Sequence, residues 1–324
     1  MSSVVFLLGA GASMDAGMPS AAQLTASLRE QLPSLKDMKG NTRAEFSELF
    51  DALAEYEPEI RENYERFFEW LTFLRQGQTG SFSKVVTFKL DQRLVDAVPC
   101  LVWSVKQAIW EILRSRHKCP TYQPGHLEIL GDFLPMEGRL SVFTTNYDLC
   151  IEDACRAGGI DVTTGFHPSS GQWNPSLFQR GATGINLYKL HGSLNWGLSD
   201  DLSDLENRPL VERYPPEWDK EPELILGPGS KLQPDDPYAA LYAEFRRAVR
   251  QAKVCVAIGY SFRDNHIKIQ LRHASHRGTK IIDVNPSPGN WGFNSHTKIR
   301  MGAKEAFASG QILEAAKGID CRHK

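Results

Sequence analysis

The stretch "VVFLLGAGASMDAGMPS", starting at Val4, constrains the fold more than any other. Five apolar residues run directly into glycines and an alanine-rich turn, so little side chain is left where the strand ends. The run reads as a buried parallel strand. Gly9 and Gly11 clear a strand-to-helix turn at which main-chain N–H groups and a helix N-terminus can meet an anion such as a phosphate. The spacing is not the usual dinucleotide pattern. Gly9, Gly11 and Gly17 are separated by two and then six positions, and no acidic residue follows a short second strand as a ribose anchor would. A nucleotide turn and a tight structural turn both remain open.

Apolar strand signals return after Gly138: "LSVFTTNYD" at 140–148, "INLYKLHG" at 185–192, "ELILGPG" at 223–229, "KVCVAIGYS" at 253–261 and "TKIIDVNP" at 279–286. Helical candidates at 148–157 and 237–252 lie between them, a pattern that predicts an α/β fold with a parallel sheet. Between the first strand and this series, 41–75 (broken near Pro58) and 101–116 carry aromatics and leucines at helical spacing, with acids in excess over bases in the first of them. The expected division is therefore a core of residues 1–34 and 136–324, with a predominantly helical insertion at 35–135. Residues 197–222, rich in Pro, Asp and Glu, read as a solvated loop.

A chain of 324 residues with formal net charge −2 is not built to coat nucleic acid electrostatically, so no direct nucleic-acid binding is expected. The apolar runs are strand-sized and the first lacks a basic leader, which predicts neither a membrane span nor a signal peptide. The six cysteines, Cys100, Cys119, Cys150, Cys155, Cys255 and Cys321, include no Cys-x-x-Cys pair. Their scatter fits a reduced, cytoplasmic chain without structural zinc, and Cys150 and Cys155 read as packing residues on a helix.

If the strands are parallel neighbours, the polar residues ending them share one crevice, because ligands of open α/β sheets bind beyond the carboxyl ends of the strands. Asn146 or Asp148 can serve as a helix cap. Thr144, Thr145 and Asn146 are more polarity than a cap requires, and a carboxamide offers donor and acceptor to a ribose or a water. His191 can be a structural group, a metal ligand or a base. The base role is available near neutral pH, and metal is the weakest option because no other ligands cluster near it in sequence.

In this order, "GAGASMDAGMP", "TTNYD", "LHG", "GYS" and "VNPSP" resemble the motifs of the sirtuin superfamily, from Gly9 to Asn285. The resemblance implies a Rossmann-like core binding NAD. Gly9, Ala10, Gly11, Ser13, Gly17 and Pro19 would contact or shape the site, with Thr145, Asn146 and Asp148 near the nicotinamide ribose. His191 would be the general base, while Gly259, Ser261 and Asn285 would hold the adenosine half. The departures are specific. The four zinc cysteines of protein-deacylating sirtuins are missing, Thr145 replaces a glutamine, and Ser20 and Ala21 follow Met18 and Pro19. What remains resembles bacterial sirtuin-like domains that hydrolyse NAD in antiphage defence. The expected activity is NAD glycohydrolysis with NAD as consumed substrate and no metal, Asn146, His191 and Asp148 being the catalytic candidates. The alternatives are an NAD-dependent deacylase or ADP-ribosyltransferase, or a non-catalytic NAD or ADP-ribose sensor. The same resemblance implies a homo-oligomer, or a companion such as a motor ATPase or a nucleic-acid-guided protein.

Overall fold

In a computed structural model of the chain, the described residues are 3–77, 90–180, 183–199, 209–213, 224–226 and 236–317. Seven strands form one parallel sheet: β1 (Val4–Leu8), β2 (Arg139–Thr144), β3 (Val162–Thr163), β4 (Gly184–Lys189), β7 (Val254–Ile258), β8 (Lys280–Val284) and β9 (His296–Ile299). A separate antiparallel pair joins β5 (Trp196–Leu198) to β6 (Leu210–Glu212). Across the main sheet the order is β3-β4-β2-β1-β7-β8-β9. Without the two-residue edge β3, the remaining six strands follow the chain order 3-2-1-4-5-6 of a doubly wound, Rossmann-like sheet. The order reverses between β1 and β7, and the crevice of such a sheet opens there.

Alternation along each strand divides the core in two. Val4, Phe6 and Leu8 join Val142, Leu187 and Val256 in one cluster, whereas Val5, Leu7, Phe143, Tyr188 and Cys255 face the other way. Helices α1 (Ala21–Gln31), α2 (Glu45–Tyr56), α3 (Tyr64–Gly77) and α4 (Gln92–His117) connect β1 to β2 and cover the first face. Their apolar stripes (Phe46, Phe50, Phe67, Val98 and Leu101 among them) belong to the same cluster as Phe6. The 35–135 stretch therefore shares its core with the sheet. After α5 (Leu134–Glu137) and α6 (Cys150–Ala157), the second face is covered by α7 (Tyr238–Gln251) and α8 (Asn265–His276). Helices α9 (Ala303–Ala308) and α10 (Gln311–Lys317) return to the first face.

Several expectations need correction. Helix α4 begins nine residues before Leu101 and passes through Pro99, because Leu94, Val95 and Val98 extend its buried stripe. The strands stop at Thr144, Lys189, Ile258 and Val284, so the later residues of the quoted stretches lie in the turns that follow. Of the 223–229 stretch only 224–226 are described, and Leu224 makes an isolated antiparallel bridge to Gly192 instead of joining the main sheet. The predicted 197–222 loop contains the β5–β6 pairing, with Trp196 completely buried at its start, and the rest of that loop lies largely outside the described residues. Strand β9 and helices α8 to α10 had no sequence assignment. Cys150 and Cys155 are buried on α6 in the first core, while Cys321 falls outside the described residues.

Candidate functional site

Beyond the carboxyl ends of β1, β2, β4, β7 and β8 lies a cavity of about 590 Å³. Ala10, Gly11, Pro19, Thr145 and Asn146 line it, together with Asp148, His191, Gly259, Ser261 and Asn285. Gly9 and Ser13 stand behind this wall and reach it through hydrogen bonds to Asn146. Gly17 does not line the cavity. Its φ of +93° ends a short turn, and a Cβ there would meet the Thr121 carbonyl at 3.2 Å.

The glycine turn answers the question posed by its sequence, and the answer is another main chain. A Cβ on Gly9 would lie 2.6 Å from the Gly259 carbonyl oxygen, and one on Gly11 would lie 2.7 Å from the Gly259 Cα. Gly259, at φ +59°, would in turn drive a Cβ to 2.3 Å from the Ala12 nitrogen. The N–H groups of Gly9 and Gly11 donate to Ile258 and Gly259 carbonyls, and those of Ala12 and Ser13 donate to Gly9 and Ala10. Of the two readings left open for this turn, the tight structural one matches these contacts: two 3-10 turns (Ala10–Ala12 and Met14–Ala16) follow β1, and α1 begins at Ala21, close to the start near Pro19 or Ser20 that the sequence predicts. Ser20 and Gln23 form its capping box, which accounts for the serine after Pro19.

The turn after β2 is fixed by side chains instead. Thr144, 1 % exposed, donates its hydroxyl to the Leu8 carbonyl at 3.0 Å and accepts from the Asn146 N–H at 3.0 Å. Asn146 Nδ2 donates to the Gly9 carbonyl (2.9 Å) and to Ser13 Oγ (3.0 Å). A carbonyl can only accept, so the amide orientation is determined, and both amide hydrogens are used. The carboxamide thus offers Oδ1, an acceptor, to the cavity. Asp148 Oδ1 accepts from the Cys150 N–H, but the N-cap position of α6 is Leu149, so neither Asn146 nor Asp148 is the cap expected of them; the Asp148 main-chain carbonyl receives Lys189 Nζ. Lys189, 1 % exposed, also pairs with Glu152 at 2.8 Å. A buried pair of this kind is costly to break by removing one partner. Burial raises the Glu152 carboxyl even against this ammonium.

His191 is 1 % exposed and sits two residues beyond the end of β4, where its carbonyl accepts from Ile225. Tyr147, inside the "TTNYD" stretch, lines the same cavity and donates its hydroxyl to the Ile225 carbonyl at 2.7 Å. Burial pushes Tyr147, Tyr64 and Tyr260 well above the ordinary phenol range, so all three are neutral donors. Glu62, Asn63, Tyr64 and Glu65, around the start of α3, also line the cavity. Sequence reasoning missed them because their helical spacing signalled only packing. Arg263 was missed as well, and it is the sole Lys or Arg on the cavity wall among the described residues. Phe262, just before it, holds φ +55°, a conformation costly for a bulky residue and maintained here by packing against Trp291 and Phe293. Among the described residues there is no cluster of three or more His, Cys, Asp or Glu that could hold a metal ion, and no helix is long and apolar enough to cross a membrane.

Residues 140–287 match the family model of the SIR2-like domain. The matched segment contains Thr145, Asn146, Asp148, His191, Gly259, Ser261 and Asn285, and it supports a relation to the sirtuin superfamily. No curated protein matches. Among solved structures, a complex of a Sir2 homologue with NAD is 17 % identical, with 98 % of this chain and 90 % of that one covered at a TM-score of 0.46. A structure described for the mechanism and regulation of Sir2 enzymes is 15 % identical, covering 98 % and 94 % at 0.47. A Sir2 homologue mutant in complex with ADP-ribose is 16 % identical, covering 99 % and 94 % at 0.46.

Proposed function

We propose that this cavity binds NAD as a substrate and cleaves its nicotinamide–ribose bond with water, giving nicotinamide and ADP-ribose. The observation that carries the reading is the convergence of Asn146 Oδ1 and the buried His191 on one cavity at the switch point of the sheet. The similarity of residues 140–287 to the SIR2-like family supports NAD as the ligand. Volume fits a nucleotide-sized ligand, which occupies pockets of roughly 300–1,000 Å³. The acidic wall at Glu62, Glu65 and Asp148 suits the positive nicotinamide ring, and Arg263 suits the diphosphate.

In this mechanism the water oxygen forms a bond to ribose C1′ as the C1′–N bond breaks. The bonding pair returns to the pyridinium nitrogen, so nicotinamide leaves neutral and needs no acid. The single proton released from the water passes to His191 and then to solvent. Asn146 Oδ1 accepts a hydrogen bond from the water or a ribose hydroxyl and places an oriented dipole beside the developing ribosyl cation. Asp148 shapes the turn that presents Asn146. Residues 1–34 and 136–324 would supply the catalytic core. The 35–135 helices would contribute Glu62 to Glu65 to its wall. A role in antiphage defence, in a homo-oligomer or beside a companion ATPase or nucleic-acid-guided protein, belongs to the same proposal.

Chromatography of NAD incubated with purified protein, with and without lysate of phage-infected cells, tests the reading. Nicotinamide with ADP-ribose is the expected outcome. Turnover only on addition of acetyl-lysine peptide would replace it with deacylation, and saturable binding without product in both conditions would replace it with sensing.

A further inference from the structure

At the opposite, amino-terminal end of the sheet is a second cavity, of about 710 Å³, between α7 and the faces of β2 and β4. Trp173, Phe178 and Tyr188 form an aromatic wall, with Phe178 stacked on Tyr188 at 4.3 Å between ring centroids. Arg139 completes it, one Nη donating to the Phe178 carbonyl. Two donors on this wall, Arg139 Nε and Trp173 Nε1, are buried without an acceptor. Through Ala243, Arg247 and Gln251 the cavity continues into a surface recess of about 520 Å³ bordered by Arg246, Arg250 and Arg277 as well. Glu244 pairs with Arg247, but Arg246, Arg250 and Arg277 have no acidic partner among the described residues. Four guanidinium groups around one recess are conspicuous on a chain of net charge −2.

An aromatic-walled cavity opening onto unpaired guanidiniums matches a flat base joined to phosphates: rings stack on aromatic faces, and guanidiniums grip phosphate oxygens with paired N–H donors. We propose that this is a second nucleotide site, taking the base of a free nucleoside diphosphate against the Trp173 and Phe178 side of this wall, with Tyr188 backing Phe178, and its phosphates on Arg246, Arg250 and Arg277. The cavity volume is that of a small nucleotide more than of a strand of nucleic acid. The site lies a strand length from the cavity proposed for NAD, about 17 Å for five residues, and does not depend on that assignment.

Calorimetric titration of the full chain at 0.15 M salt with ADP, GDP, adenosine and a 5′-phosphorylated decathymidylate tests it, with Trp fluorescence as a second readout. Saturable ADP or GDP binding is expected, weakened at least tenfold by the exposed double change Arg250→Glu with Arg277→Glu and, independently, by Trp173→Ala, each checked for fold by circular dichroism. Diphosphate binding that survives both changes would overturn the proposal. So would adenosine binding as tightly as ADP, or binding of the oligonucleotide alone, the latter in favour of a strand end. Absence of binding by every probe would overturn it as well.

Discussion

The two halves of the carboxyl-end cavity are built by different means. On the β1–β2–β4 side, Asn146 and His191 are buried at 8 % and 1 % exposure, and a relay of side-chain hydrogen bonds from Leu8 through Thr144, and from Gly9 and Ser13 to Asn146, fixes the turn. On the β7–β8 side, Ser261 and Arg263 are exposed and Asn285 is half-buried. There the turn is shaped by main chain, with left-handed Gly259 and Phe262 and with Gly9 and Gly11 pressed against Gly259. The first half holds fixed functional groups, as the proposed bond cleavage requires. The second holds a path of backbone over which a long ligand can lie. Chemistry and binding should therefore separate on mutation.

The largest effect belongs to the first half. His191→Ala is expected to lower NAD turnover ~10²–10⁴-fold, the range for losing a proton-transfer group. Asn146→Ala should follow, at roughly 10²-fold for a directed polar contact. Both should leave nucleotide affinity within a few-fold, so kcat and Kd measured on the same samples provide the check. An equal loss of binding in either variant would break the division between the halves. Gly259→Ala comes next and acts through the fold. With a Cβ 2.3 Å from the Ala12 nitrogen and φ at +59°, overpacking and left-handed strain together should cost about 3 kcal/mol. Denaturant titration would show this as a lowered midpoint, with activity lost in proportion to the unfolded fraction.

The same contrast explains what could be read from the sequence. Continuous apolar runs separated by helical segments announced the parallel sheet, and the polar residues ending them pointed to Asn146 and His191 as candidates, because a buried strand leaves few other places for such side chains. The glycines were recognisable as a motif but not in their role, since only coordinates reveal that Gly259 occupies the space they leave. Arg263 and the Glu62–Glu65 segment were illegible for a different reason. They enter the cavity from a loop and a helix whose local sequence signals only turn or packing. The second cavity was invisible for a related one: Trp173, Tyr188 and Arg250 lie far apart in the chain, and nothing local connects them.

Arg263→Ala sharpens the binding half. The guanidinium is exposed, so salt screens it and its effect is limited. KM for NAD should rise roughly 3- to 10-fold with kcat unchanged, as for loss of a solvent-accessible charged contact. Steady-state kinetics at two salt concentrations would test this, with the difference between variant and parent shrinking at high salt. A fall in kcat at unchanged KM would instead place Arg263 with the catalytic half.

The smallest effect comes from the buried group beneath the binding half. Asp283, two residues before Asn285, is 1 % exposed and accepts from Trp291 Nε1 at 3.0 Å, with His296 Nε2 at 3.6 Å. Burial raises the Asp283 carboxyl and lowers the His296 imidazole. For Asp283 the folded form holds its proton more tightly than the unfolded chain. Its contribution to stability is therefore present below the unfolded value of about 3.9 and lost as pH rises through the folded value. For His296 the sign is reversed: its contribution is present above about 6.5 and lost as pH falls through the lowered folded value. The two slopes have opposite signs, so the pair should change overall stability less than either group would alone. The local signal is not cancelled in this way, because the Trp291 indole is bonded directly to the titrating carboxylate. Its fluorescence should show a transition above the ordinary aspartate range that disappears in Asp283→Asn. A fluorescence transition that persists in the asparagine variant would assign the titration to a group other than Asp283.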